Sequence, residues 1–277
     1  MIIVQANGAS IPALGFGTWE LRGATARRLV EGALEIGYRH VDTAQMYGNE
    51  AEVGAAIRAS GLARGEVFLT TKIWPDQFKK AQFERAVDDS LARLGLDRVD
   101  LLLLHWPSPT VPLAETLEAL NDARAAGKTR HIGISNFTIA MVEEAVRLSP
   151  APIVTNQVEY QPYLSQRRLL RTCREHGLAL TAYCPLARGR IFQDETLQRI
   201  GARHGRDVAQ VTLRWLVQQE GVVAIPRSSR EENARSNFAI FDFALSEPEM
   251  AEIHGLARPG GRVVSVGSVA PAWDEDD

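Results

Sequence analysis

From residue 14 to residue 225 the chain alternates between two kinds of segment. A short run of aliphatic and β-branched residues is followed by a polar or Gly/Pro turn, then by a longer stretch with apolar residues at three-to-four spacing. The strand-like runs are Leu14–Thr18, Tyr38–Asp42, Val67–Lys72, Val99–Leu104, Arg130–Ser135, Ile153–Val158, Leu178–Tyr183 and Val222–Ile225. Helical patterns such as Thr25–Ile36, Ala81–Leu94, Leu113–Ala126 and Leu169–His176 separate them, and Gly37, Gly95, Gly127 and Gly177 stand where helices end. Eight strands, each followed by a helix, predict an α/β fold of the (β/α)8 TIM-barrel kind, with chemistry on the loops after the strand C-termini. The rival, a doubly wound sheet, calls for GxGxxG after its first strand, and Gly15-Phe-Gly17-Thr-Trp-Glu20 lacks the third glycine.

Ahead of the repeat, Ile2–Gln5 and Ser10–Pro12 flank Asn7-Gly8, a hairpin signal, and the hairpin is expected to close the barrel floor. After it, Arg230–Asn237 and Ser246–Leu256 read as extra C-terminal helices. Residues 1–277 are thus expected to form one barrel domain, with 1–13 as the hairpin and 257–277 as a tail over the active-site face.

With 45% hydrophobic and 23% charged residues, the chain has ample material for a core and is not a disordered segment. A net charge of −3 without a basic stretch argues against nucleic acid as a partner. Four acidic residues at 274–277 read as a solvated tail. The start lacks a signal-peptide layout and no apolar run reaches the length of a membrane span, so a cytoplasmic protein with no membrane partner, a monomer, is expected. Cys173 and Cys184 read as reduced thiols without assigned chemistry.

The strand ends deliver four functional groups: Asp42, then Tyr47 after a short turn, Lys72 and His105. Barrel geometry sends all of them toward one mouth. Lysine is informative here, because the chain has four lysines against 27 arginines. A phenol is a weak acid unless a cation favours its phenolate; Lys72 can supply that cation and Asp42 can hold it charged. His105 can donate a hydrogen bond to a carbonyl oxygen. The set contains no activated nucleophile and no GxSxG, and no HExxH or comparable cluster suggests a metal.

These residues sit in stretches that resemble the aldo-keto reductases: Gly15-Phe-Gly-Thr-Trp19, Gly37-Tyr-Arg-His-Val-Asp-Thr-Ala44 with Tyr47-Gly-Asn-Glu50, Leu69-Thr-Thr-Lys72, Leu103-Leu-His-Trp-Pro107, Gly133-Ile-Ser-Asn-Phe137, Asn156-Gln-Val-Glu159 and Ile225-Pro-Arg-Ser228. The resemblance covers nearly the whole chain, and the family's catalytic Asp, Tyr, Lys and His fall on Asp42, Tyr47, Lys72 and His105. It implies NADPH lying extended across the mouth, its carboxamide held by Ser135, Asn136 and Gln157 and its ring stacked on Tyr183. Leu186 would meet the pyrophosphate through its backbone, and Trp19, Trp74 and Trp106 would line an apolar substrate pocket.

At the adenosine end the chain departs from the family pattern of Lys-Ser, an Arg six residues after that Lys, then Glu-Asn. Arg227-Ser228 stand for Lys-Ser, Asn233 for the Arg, and Ser236-Asn237 for Glu-Asn. NADPH is kept on the strength of Arg227, Ser228 and Arg230, with NADH less favoured. The ending Gly261-Arg-Val-Val … Ala270-Pro-Ala-Trp273 is similar to that of the short bacterial 2,5-diketo-D-gluconate reductases. The expected substrates are small carbonyls: 2,5-diketo-D-gluconate, methylglyoxal and aromatic aldehydes. The alternatives are a non-catalytic NADPH-binding regulator and, last, a barrel hydrolase.

Overall fold

The computed structural model describes residues 1–274. Two antiparallel strands, β1 (Ile3–Ala6) and β2 (Ala9–Pro12), form the hairpin. Its turn takes positive φ at both Asn7 (43°) and Gly8 (88°), the conformation that matches the twist of a two-residue hairpin. The Asn7 amide donates to the carbonyls of Ile153 (2.8 Å) and His176 (3.0 Å), and Ile11 is fully buried. The hairpin therefore seals the end of the barrel at which the strands begin.

Eight parallel strands follow in sequential order: β3 (Phe16–Gly17), β4 (His40–Asp42), β5 (Phe68–Ile73), β6 (Val99–Leu104), β7 (Thr129–Ser135), β8 (Ile153–Glu159), β9 (Ala179–Tyr183) and β10 (Val222–Ala224). The sheet curls until its edges meet, with Leu14 bridged to Ala224 and Gly17 to Arg227. The run expected as a strand over 14–18 is reduced to two residues of β3 because its remainder serves this seam. A Cβ on Gly17 would lie 2.7 Å from the Ile225 carbonyl oxygen, so a side chain there would push the seam apart. Strand β6 runs over the expected residues, and all six of them are buried. This is what strands covered by helices on one face and by barrel interior on the other require.

Helices α1 (Gly23–Ile36), α2 (Glu50–Ala59), α3 (Lys80–Leu94), α4 (Leu113–Ala125), α5 (Ile139–Leu148), α6 (Arg167–Glu175), α7 (Glu195–His204) and α8 (Val208–Gln218) cover the sheet. Two more, α9 (Glu231–Phe238) and α10 (Glu247–His254), follow β10. Gly37, Gly95, Gly127 and Gly177 all take positive φ just past a helix end. Helix α10 starts on a reciprocal cap in which Ser246 and Glu249 satisfy each other's backbone N–H groups.

One tail reading changes. Asp274 accepts a hydrogen bond from the Ile139 N–H at 2.9 Å, at the positive end of α5, so it is a fastening point instead of a solvated charge. The other three acidic residues of that cluster, at 275–277, lie outside the described residues. No helix among the described residues is long and apolar enough to cross a membrane.

Candidate active site

The sheet register brings the four strand-end groups together. Asp42 on β4 is level with Thr70 on β5, and Lys72 lies two residues further along, so its side chain emerges on the same face. Lys72 is fully buried, and its Nζ donates to Asp42 Oδ1 (2.5 Å), to the Thr43 carbonyl (2.9 Å) and to the Tyr47 hydroxyl (3.4 Å). The other Asp42 oxygen accepts from Gln157 Nε2 at 2.8 Å, a bond that crosses the barrel from β8. Burial lowers the proton affinity of the Lys72 ammonium, and the Asp42 and Glu50 charges work against that.

Tyr47 is carried by a single helical turn, Gln45–Tyr47, whose base is fixed by Asn49. Thr43 donates to the Asn49 side-chain oxygen (2.6 Å), and the Asn49 amide donates to the carbonyls of Thr18 (2.9 Å) and Leu21 (3.0 Å). The next residue, Glu50, is buried and accepts from Thr71 (2.6 Å) and from Arg93 Nε (2.9 Å). Sequence reasoning assigned no role to Asn49 and Glu50; two polar residues directly after Gly48, ahead of an amphipathic helix, were the available signal. Burial first, and the Asp42 charge second, raise the Tyr47 phenol well above its ordinary 10. The resting group is therefore a protonated phenol, the form that a proton donor requires.

His105 follows β6, and its N–H donates to the Ile73 carbonyl at 3.0 Å. Its ring packs edge-on against Trp74 (5.1 Å between centroids) and Tyr47 (5.7 Å). Burial, then the nearby Lys72, push its pKa well below 6.5, which leaves the imidazole neutral. Its Nδ1 is buried and has no hydrogen-bond partner among the described residues.

Asp42, Tyr47 and His105 face a cleft of about 910 Å³ that extends past Ser135, Asn136, Gln157 and Tyr183 to Arg227, Ser228, Asn233 and Asn237. Lys72 stands behind this wall. All three tryptophans singled out from sequence line it too: Trp19 meets Tyr47 edge-on at 4.8 Å, Trp74 covers His105, and Trp106 is buried against Trp273 at 6.0 Å. Residues 263–266, part of the tail expected over the active-site face, line this end as well, together with Met46, which was not picked out from sequence.

On the other flank, Ser135 and Gln157 are level in adjacent strands, and Ser135 Oγ donates to the Gln157 carbonyl at 2.8 Å. Asn136 sits at φ 66°, a conformation Asn tolerates better than most residues, and its Nδ2 donates to the His105 carbonyl at 2.9 Å. The Tyr183 hydroxyl donates to Asn136 Oδ1 at 2.7 Å, which fixes the tyrosine ring in the cleft wall. Beyond Tyr183, positive φ recurs at Cys184, Ala187, Arg188 and Gly189, and the loop they form, with Leu186 in it, also lines the cleft. Strained backbone of this kind clusters at ligand clamps.

At the far end, Arg227 Nη2 donates to Glu20 at 2.7 Å, and the Ser228 hydroxyl donates to the Arg230 carbonyl at 2.6 Å. Among the described residues, no group of three or more His, Cys, Asp or Glu side chains is arranged to hold a metal ion.

Comparison with known proteins converges on one family. The sequence pattern of the aldo/keto reductase family matches residues 13–258. Methylglyoxal reductase DkgB of Salmonella typhimurium is 44% identical over 96% of this chain and 100% of its own. Glyoxal reductase of Bacillus subtilis is 40% identical, covering 90% of each. Among solved structures, one assigned provisionally as a 2,5-diketo-D-gluconic acid reductase B is 55% identical. It superposes with a TM-score of 0.98 over 99% of this chain and 98% of that one.

Proposed function

The chain belongs to the aldo/keto reductase family, and from that membership together with the geometry of the cleft we propose that it reduces small aldehydes and ketones to alcohols with NADPH. The observation that carries the reading is the Tyr47 hydroxyl in the cleft wall, a protonated phenol with the Lys72 ammonium 3.4 Å behind it and the neutral His105 ring beside it. Methylglyoxal, glyoxal and 2,5-diketo-D-gluconate, the compounds in the names of its relatives, are the substrates to try first.

The donor set suits a nicotinamide dinucleotide. Ser135, Asn136 and Gln157 offer the donors and acceptors that a carboxamide needs, and the fixed Tyr183 face offers a stacking surface. A bound nicotinamide would supply the hydride for the carbonyl carbon. Arg227 and Ser228, which line the far end of the cleft, would hold a 2′-phosphate, while Asn233 brings no charge.

Tyr47 acts as the general acid and gives its proton to the carbonyl oxygen. As negative charge passes to the phenol oxygen, the Lys72 ammonium stabilises it at short range in a site shielded from water. Asp42 keeps that ammonium in place, and Gln157 keeps Asp42 in place. His105, neutral and buried, points a ring N–H at the same carbonyl oxygen and orients it. Trp19, Trp74 and Trp106 shed water from the reacting carbon and give the carbon skeleton an apolar bed.

The test is oxidation of NADPH and of NADH by the purified protein with methylglyoxal, 2,5-diketo-D-gluconate and an aromatic aldehyde, alongside a fluorescence titration of each nucleotide. Turnover with NADPH is the expected result. Tight nucleotide binding with no turnover of any carbonyl would instead favour a regulatory binder.

A further inference from the structure

Glu159, the last residue of β8, is fully buried and is not among the residues that line the cleft. One oxygen accepts from the Val263 N–H and the other from the Val264 N–H, both at 2.8 Å. Gln161 Nε2 adds a longer bond to Glu159 (3.3 Å) and donates to the Gly261 carbonyl at 2.8 Å. The Arg258 N–H donates to the Tyr163 carbonyl at 3.1 Å. At Gly261 the tail lies so close to the barrel rim that a Cβ would stand 1.7 Å from that same carbonyl oxygen. Immediately after this dock, residues 263–266 line the cleft. The tail is fastened again further on, where Trp273 packs against Trp106, the Arg262 guanidinium covers Trp273 at 3.7 Å, and Asp274 caps α5.

We propose that Glu159 is a positioning residue: its carboxylate docks the C-terminal tail on the barrel rim and so shapes the wall of the substrate end of the cleft. Two consecutive backbone N–H groups converge on one side chain, each on its own oxygen. Among uncharged or charged side chains of this length, only a carboxylate accepts at both positions. Glutamine would still accept from one backbone N–H through its oxygen but would turn its own N–H toward the other, leaving those two donors face to face without an acceptor. Burial raises the Glu159 carboxyl, and the two backbone donors oppose it. The dock closes a loop between distant parts of the chain, whose ordering relies on those bonds.

The kinetic part of the test rests on the reductase reading; the structural part does not. In full-length Glu159→Gln, amide hydrogen exchange at Val263 and Val264 should speed up by about tenfold or more, while amides of β6 and β7 keep their protection. The KM for an aromatic aldehyde should rise by roughly tenfold with kcat changed by less than about threefold, the pattern of lost uniform binding. NADPH affinity should stay within about twofold, and Glu159→Asp should recover part of both effects. Unchanged exchange at 263–264 in a folded Glu159→Gln protein would overturn the dock. Faster exchange with an unchanged KM would overturn the link to the substrate wall. A wild-type protein that reduces no carbonyl would defeat the reductase reading and leave the exchange result standing. If Glu159→Gln does not fold, Val264→Pro removes one donor and leaves the carboxylate intact; it should speed exchange at Val263 and raise the KM in the same way, and wild-type values would count against the proposal.

Discussion

At the deep end of the cleft Asp42, Lys72 and Gln157 hold one another in the buried interior, whereas at the outer end the cation Arg227 is held by a partner in solvent. Lys72 is fully buried and Asp42 nearly so, and Gln157 ties the pair to the opposite side of the barrel. Arg227 and Glu20 also make a short ion pair, but their side chains are 37% and 58% exposed. Exposed pairs contribute about 0–1 kcal/mol, while breaking a buried one costs about 3–5 kcal/mol. The deep end therefore tolerates almost no change of residue type. At the outer end the loss of a charge should have little consequence for folding.

The largest effect should come from Tyr47→Phe. If the phenol is the acid, kcat should fall by about 10²–10⁴ while NADPH affinity, read by fluorescence titration, stays near wild type. A Phe variant that retains full turnover would move the proton donor elsewhere and erase the contrast between the two ends.

Next comes Lys72→Met, which strands the Asp42 charge in the barrel. We expect a destabilisation of about 3–5 kcal/mol, or a melting temperature lower by on the order of 10 °C, together with loss of turnover. Adding Asp42→Asn should recover much of the stability and none of the activity. Calorimetry and a steady-state assay of the double variant thus separate what the pair does for folding from what it does for chemistry. A double variant as unstable as the single one would show that the pair is not what holds this end together.

A smaller, directional effect concerns pH. The Tyr47 pKa is raised above 10, so its proton is present at every pH below that and leaves only above it. The His105 pKa is lowered from 6.5, so the ring gains a charge only well below that value. The rate of reduction at saturating nucleotide should therefore be flat between these limits. A titration with a midpoint near neutrality would assign the acid to a different group.

How much of this was legible in the sequence depended on the range of the interactions. Strand β6 was read residue for residue because a run between Arg98 and His105 that is apolar at every position but Asp100 needs no other part of the chain to be recognised. Asp42, Tyr47, Lys72 and His105 were legible because each ends a readable strand or follows one closely, and because lysine is rare here. Strand β3 came out shorter than read, since its flanks are spent on a seam with residues more than 200 positions away. Glu159 was visible only as part of a motif. Its partners lie 104 and 105 residues later, in a tail without periodic pattern, so no local signal could announce them. Asp274 is the same case: a terminal acid reads as solvated until the N-terminus of α5 is found beside it. How far burial raises the Tyr47 phenol could not be weighed from spacing at all.

The smallest effect probes the outer end itself. Arg227 is the cation that a 2′-phosphate would find there, and Glu20 already occupies it at 2.7 Å. Removing the Glu20 carboxylate by Glu20→Gln frees the guanidinium and takes a negative charge away from the phosphate. The KM for NADPH should fall, but by less than about fivefold, because the pair is solvent-exposed and its worth is small. The KM for NADH, which has no 2′-phosphate, should not move. The gain should also shrink as salt rises, since screening acts on exposed charges and hardly on buried ones. An equal improvement for both nucleotides would mean that Glu20 obstructs the cleft by shape, and the outer end would then owe its preference to packing and not to charge.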